Sequence, residues 1–336
     1  MQRVYITLRG DDRIAIYNLD PADGALTHQE DVHVPGGPSP FAVSPNGTYA
    51  YAGLREHFKL ASFKIDSRTG SLATTGTADL NSDPCHISVD NSGRYLLSAY
   101  YEAGQIAVHP INADGAIGSV EIERIGTRHR AHCAITDGTN QFVFLPHVDD
   151  SNAIFQYRFD AENGSLTPNT PPVIEPPPGN GPRHYAYHPN NKFVYFDNEQ
   201  GCSVTAYRLD PEKGTLSPFQ NISTLPENWS GENSCAQIHM TSSGDFLYVT
   251  NRGHDSVAIF AVCDTTGMLT SLGQHRTLRT PRAFAIDPTD NFMLVGGLDD
   301  GLLATYRVEQ SGHLTHLSTQ PVGDQPMWIE MTGDFA

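Results

Sequence analysis

Three side chains suited to acid–base and anion chemistry share one short stretch, Gly181-Pro182-Arg183-His184-Tyr185-Ala186-Tyr187-His188-Pro189-Asn190-Asn191-Lys192-Phe193-Val194-Tyr195-Phe196-Asp197-Asn198-Glu199. Arg183 and His184 open one aromatic run and Glu199 closes the next. The polar turn between the runs predicts a β-hairpin. In an antiparallel hairpin the start of one strand and the end of the next lie at the same edge. A guanidinium, an imidazole and a carboxylate are therefore expected at one rim. A guanidinium grips phosphate or carboxylate through paired hydrogen bonds. A carboxylate among cations stays ionised and can take or orient a proton. Strand alternation sends adjacent side chains to opposite faces. Without a bulge, only one of Arg183 and His184 is expected to face inward, and Arg183 is the choice.

The elements that must position these residues repeat along the chain. A turn of Gly, any residue and an aliphatic residue recurs as Gly24-Ala25-Leu26, Gly70-Ser71-Leu72, Gly115-Ala116-Ile117, Gly164-Ser165-Leu166, Gly214-Thr215-Leu216, Gly267-Met268-Leu269 and Gly312-His313-Leu314. Successive glycines lie 46, 45, 49, 50, 53 and 45 residues apart by subtraction. Hairpin patterns rich in Tyr, Phe, Val and Leu interleave with these turns. Four short strands per repeat, with almost no helical pattern, predict a propeller blade. The expected fold is all-β: a seven-bladed β-propeller of four antiparallel strands per blade, with 1–336 as one domain. The chain opens on a second-strand sequence, Arg3-Val4-Tyr5-Ile6-Thr7-Leu8, and ends on a first-strand sequence, Pro326-Met327-Trp328-Ile329-Glu330-Met331. One blade should therefore be closed by three N-terminal strands and one C-terminal strand. Two insertions break the rhythm: a Pro-rich connector at 168–182 and a loop at 225–235. In that loop Trp229 either walls a pocket or staples the loop itself.

In a propeller the first strand of each blade lines the central channel. Its start, and the end of the second strand, open at one face. Those positions carry His86, His132, Arg183 with His184, His239 and Arg282, then Arg55, Tyr100 with Tyr101, His147, Glu199, and Asn251 with Arg252. Trp328 and Arg9 belong to the closing blade. His147 and Arg9 read as structural. The chain holds only 21 basic side chains against 38 acidic ones, a formal net charge of −17. Arginines gathered at one mouth of so acidic a protein point to a small anionic ligand. The same acidic field repels nucleic acid and anionic membranes.

Other chemistries find little support. The chain has no GxxxxGK[ST], GxGxxG or GxSxG motif. Arginines interleaved among the rim histidines disfavour a divalent cation, so neither a metal nor an organic cofactor is expected. The five cysteines are scattered and form no CxxC pair, and each reads as a small buried residue. No apolar run spans a membrane and the N-terminus lacks a secretory pattern, so the cytosol is the expected compartment.

Taken together, the motifs resemble those of the propeller-type lactonases, and most of all their bacterial 6-phosphogluconolactonase branch. The likeness runs through the Gly-x-Leu turns, Pro84-Cys85-His86-Ile87-Ser88, Ser98-Ala99-Tyr100-Tyr101-Glu102-Ala103-Gly104, Gly181-Pro182-Arg183-His184, Asn198-Glu199, Leu225-Pro226-Glu227-Asn228, Ile238-His239 and Gln325-Pro326-Met327-Trp328. Cys133 stands where the pattern usually has serine, and Arg128-His129-Arg130 is unusually basic. The resemblance implies metal-independent hydrolysis of 6-phospho-D-glucono-1,5-lactone to 6-phosphogluconate. It assigns catalysis to Glu199, His132, Arg183 and Arg252. Substrate binding falls to Arg282, His86, His184, His239, Arg55 and Tyr100. It implies a monomer or weak homodimer. Two alternatives stay open: a muconate-type lactonising enzyme or other sugar lactonase on the same scaffold, and a non-enzymatic protein-binding propeller.

Overall fold

The computed structural model describes residues 1–333. Their strands form seven antiparallel sheets, six of four strands and one of three, arranged as the blades of a propeller. We number the blades along the chain: 38–79, 84–126, 131–174, 182–223, 234–276 and 281–321 are blades 1 to 6. Blade 7 joins Pro326–Thr332 to the first three strands, Gln2–Leu8, Arg13–Leu19 and Leu26–His33. Tyr5 pairs with Ile16 on one side and Glu330 on the other, so the two chain ends close the ring as expected. Among the described residues no helix is long and apolar enough to cross a membrane.

Two details depart from the sequence reading. In blade 3 the inner segment at 131–136 is held by two isolated bridges, Ala131 to His147 and Thr136 to Val143. Tyr185 of blade 4 is the cause. Its hydroxyl accepts the Ile135 N–H at 2.7 Å and lies 2.9 Å from the Phe144 carbonyl, between the would-be partners. The Pro-rich segment is also less irregular than expected. Strand Ser165–Ile174 runs through Pro168, Pro171 and Pro172. An outermost strand tolerates proline because one row of its N–H groups needs no partner.

The recurring glycine turns tie neighbouring blades together. Gly115, Gly164, Gly214, Gly267 and Gly312 have φ between 67 and 82°. Each packs on the aromatic ring that opens the second strand of the preceding blade: Tyr49, Tyr95, Phe142, Phe193 and Phe246. Gly24 meets Phe292 in the same way across the 6–7 boundary. At the 7–1 boundary Arg3 replaces the ring. Its stem packs on Gly70, and its guanidinium donates to the Arg68 carbonyl at 2.7 Å. The positive φ and the close ring both require an absent Cβ. This contact sets the angular step between blades, so it sets how far apart side chains from different blades stand at the channel mouth.

Gly214→Ala should lower the urea midpoint by roughly 1–3 kcal/mol of stability, since it strains φ and overlaps Phe142. Gly179→Ala is the control: φ is 83° there too, but nothing lies within 4 Å of the new Cβ. Equal losses in the two variants would show that the ring contact contributes nothing.

Candidate active site

The channel mouth is shaped by a bulge near the start of the inner strands. The register slips between Pro38 and Phe41, Pro84 and His86, Pro182 and Tyr185, Cys235 and Ile238, and Pro281 and Ala283. Blade 7 slips at the same level, where Leu8 pairs with Pro326 but Thr7 with Trp328. A bulge adds an unpaired residue and re-aims its side chain. The bulged residues are Ser39 with Pro40, Cys85, Arg183 with His184, Ala236 with Gln237, Arg282 and Met327. All of these except Ala236 line the recess at the mouth, with Arg55, His132 and Trp328. The expectation that only one of Arg183 and His184 faces inward is therefore corrected. The bulge breaks the alternation and both reach the recess. An adjoining cleft of about 200 Å³ adds Tyr101, Glu102, Glu199 and Arg252.

Four guanidiniums from four blades meet there: Arg55, Arg183, Arg252 and Arg282. Glu199 takes two of them. Arg183 Nε stands 3.1 Å from one carboxylate oxygen, and Arg252 Nη2 donates to the other at 2.7 Å. Arg252 also donates to the Cys235 carbonyl at 2.6 Å, and Arg183 donates to the Ala236 carbonyl. Burial works against charge on Glu199, but Arg183 and Arg252 outweigh it and hold its carboxyl below the usual 4.5. Arg55 is paired with Asp83, its Nε 3.0 Å from the carboxylate. No hydrogen bond or ion pair among the described residues holds Arg282. Burial and the other three arginines all disfavour its charge, and Glu199 offsets them only in part. The site thus holds an uncompensated cation facing a cleft. That is an anion-binding arrangement, because a buried charge is costly until it is paired.

The imidazoles form a second layer. His184 lies 5.0 Å from His132 and 5.3 Å from His86, centroid to centroid, and 6.1 Å from Trp328. Burial first, then Arg183, pushes His132, His184 and His86 down, the last to about 3. All three are neutral near pH 7. Buried ring nitrogens of His132 (Nδ1) and His184 (Nε2) have no protein partner. Among the described residues no group of three or more His, Cys, Asp or Glu side chains forms a metal cage.

The remaining expected rim residues fall elsewhere. Tyr100 is a correction. Its hydroxyl is buried beside Ser98 (2.9 Å) and His109 (3.3 Å), inside blade 2. Strand alternation gives the cleft to its neighbour Tyr101, which sets its ring edge-on to His132 at 5.8 Å. His239 packs on Phe284 and does not line the cleft. His86 backs the recess, with Cys133 Sγ 3.4 Å from its Nε2. His147 bonds Leu145 and Thr127, and Arg9 pairs with Glu56, so both are structural as read. Trp229 staples its own loop, its ring against His254 and the Arg276 guanidinium. The basic run at 128–130 is answered by acids: Arg128 pairs with Glu175 and Arg130 with Asp149.

One residue escaped the sequence reading although it lies in the opening stretch. Asp197 is fully buried opposite the blade 4 bulge. Its Oδ1 accepts the His184 N–H, freed by the bulge, at 2.8 Å, while Oδ2 has no partner. Burial pushes its carboxyl up to about 7, against the pull of Arg183. The position opposite the slipped register was the signal, and only the pairing reveals it. A raised folded value means the neutral form favours the fold, so this contribution is lost as pH rises from about 4 to about 7. Asp197→Asn keeps the acceptor and cannot ionise. Relative to wild type its stability should rise by roughly 2–4 kcal/mol across that window in urea titrations. A constant difference between the two proteins would refute the assignment.

Comparison with known proteins agrees with the fold. Residues 3–331 match the model of the seven-bladed β-propeller lactonases. A 6-phosphogluconolactonase of Yersinia pestis is 34% identical over 333 residues, covering 99% of this chain and 98% of that one. One from Serratia proteamaculans is 34% identical over 331 residues, 98% of each chain. The periplasmic gluconolactonase of Pseudomonas aeruginosa superposes with a TM-score of 0.91 over 99% of each chain at 24% identity, a likeness that speaks for the fold alone. Blade number, closure and full-length similarity agree: the chain belongs to the seven-bladed β-propeller lactonase family.

Proposed function

We propose that this lactonase hydrolyses 6-phospho-D-glucono-1,5-lactone to 6-phosphogluconate at the arginine-lined mouth. The observation that carries the reading is Arg282, a guanidinium with no protein partner beside three others. A phosphate dianion supplies the missing charge and can take paired hydrogen bonds from it. The relatives' name, 6-phosphogluconolactonase, supports the same substrate class.

The reaction adds one water across the ring ester. Water oxygen bonds to the carbonyl carbon, and the proton it sheds goes to a base. Both oxygens of Glu199 are committed to arginines and its carboxyl is held low, so it is a weak base. Its role is to aim Arg183 and Arg252. His132 is better placed to take the proton: it is neutral and lines the cleft. The arginines that depress its basicity are neutralised when a phosphate arrives, which raises its proton affinity at the moment of need. Arg183 and Arg252 donate toward the oxyanion that forms on the carbonyl oxygen. As the ring C–O bond breaks, the imidazolium returns its proton to the ring oxygen, and the open acid leaves.

Proton release on adding fresh 6-phosphogluconolactone, compared with the buffer's own hydrolysis, tests the reading directly. Wild type should accelerate opening, and the unphosphorylated lactone should be a far poorer substrate. No acceleration by the folded protein would overturn the proposal. His132→Asn should lower kcat by roughly 10²–10⁴. Glu199→Gln should lower kcat/KM without moving the acid limb of the pH profile, because it orients the arginines and titrates well below neutrality. Full activity in both variants would remove them from the chemistry.

Arg282→Gln should raise KM roughly 10–100-fold for the phosphorylated lactone, the value of a hydrogen-bonded charge pair. It should leave the slow opening of the unphosphorylated lactone nearly unchanged. An equal loss on both substrates would place the phosphate elsewhere.

A further inference from the structure

The sequence reading expects every cysteine to be buried, and Cys85, Cys133 and Cys235 are. Cys202 and Cys263 do not fit: Cys202 is half-exposed and Cys263 exposed. Cys202 ends the tight turn that follows Glu199 and sits at φ 45°, a left-handed conformation that non-glycine residues rarely adopt. Cys202 and Cys235, the latter near the start of the inner strand of blade 5, meet at the Glu199 carbonyl, which lies 3.9 Å from Cys202 Sγ and 3.1 Å from the Cys235 N. The two sulfurs share one polar surround. Asn233 Nδ2 donates to Cys202 Sγ at 3.3 Å and to Asn251 Oδ1 at 3.1 Å. Asn251 Oδ1 lies 3.6 Å from Cys235 Sγ, and Thr224 Oγ1 lies 3.4 Å from the same sulfur.

This pair is wired to the cleft through the backbone. The Cys235 N–H donates to the Glu199 carbonyl at 3.1 Å. The Cys235 carbonyl accepts from Arg252, whose other hydrogen bond goes to the Glu199 carboxylate. The neighbouring Cys235 side chain lowers the Cys202 thiol to about 6, helped by Asn233 and Arg252. Burial instead pushes Cys235 well up. One thiol is therefore half-exposed with its thiolate favoured, and the other is buried with its thiol favoured. That division of labour suits an attacking thiol and a resolving thiol.

We infer that Cys202 and Cys235 are an oxidative modification site, at which a peroxide drives formation of a disulfide that disables the cleft. The Cys202 thiolate attacks one oxygen of hydrogen peroxide. The O–O bond breaks, hydroxide leaves, and the sulfur carries a new S–O bond as sulfenic acid. Cys235 sulfur then attacks Cys202 sulfur, its proton passing to the departing hydroxyl, which leaves as water. In sum, two thiols and one peroxide give a disulfide and two waters. The two sulfurs must close to about 2.05 Å for the bond. That movement pulls the Cys235 backbone, and with it the anchors of Glu199 and Arg252. A displacement of about 1 Å in such a constellation can cost roughly 100-fold in rate.

The linkage stands apart from the proposed reaction, whereas its effect on turnover rests on that reading. The test treats the full chain, in a Cys263→Ser background, with hydrogen peroxide. Remaining thiols are then alkylated and peptides mapped without reduction. The expected result is a Cys202–Cys235 cross-linked peptide. Opening of 6-phosphogluconolactone should fall roughly tenfold or more, return with dithiothreitol, and resist peroxide in Cys202→Ser. Cys202 driven to sulfinic acid while Cys235 is still alkylated would overturn the disulfide. A cross-link formed with turnover intact would overturn its coupling to the cleft. A cross-link in a chain whose untreated form never opens the lactone would support the disulfide and count against the lactone reading.

Discussion

The mouth of this propeller depends on a constraint that a regular strand cannot meet. Alternation lets only every second side chain of an inner strand face the channel. The slipped registers near the start of the inner strands relax that limit where the ligand must sit. In blade 4 the slip delivers both Arg183 and His184 to the recess. It also frees the His184 N–H, which Asp197 accepts from behind. A fully buried carboxylate opposite the bulge is thus the complement of the bulge itself.

The bulges can act together only because the ring holds its size. Arg55, Arg183, Arg252 and Arg282 come from four blades, and apart from the Glu199 bridge between Arg183 and Arg252 no local link sets their separation. It is set at the periphery, where the glycine turn of one blade packs on the ring that opens the second strand of its neighbour. A small residue at the rim of each blade is in this sense a long-range determinant of the site. The same logic accounts for the closing blade, where pairing of the two chain ends fixes Trp328 against His184.

Electrostatically the site is unfinished without a ligand. Glu199 bridges Arg183 and Arg252 but offsets only one of their two charges, Asp83 offsets that of Arg55, and Arg282 has no ion-pair partner among the described residues. The neutral histidines around them add polar capacity without adding charge. A fold with a formal net charge of −17 concentrates positive potential at one mouth. Desolvation makes that potential strong there, where screening by water is weakest.

Much of this was legible in the sequence because it rests on local periodicity. The glycine turns, the aromatic strand openings and the complementary chain ends specify blade number and closure, since strand and turn preferences act over a few residues. The convergence of Arg183, Arg252, Arg282 and Glu199 followed from the same topology. What the sequence left undecided depends on register and on contacts between blades. Alternation counted from a strand start assigned one of Arg183 and His184 inward, and a one-residue slip reversed that. The family resemblance pointed to Tyr100 instead of Tyr101, and the sequence reading passed over Asp197 and took Cys202 for a buried thiol. Each of those outcomes is decided by which backbone group pairs with which, and by what a neighbouring blade places alongside, and a side chain's type and position in the chain carry neither.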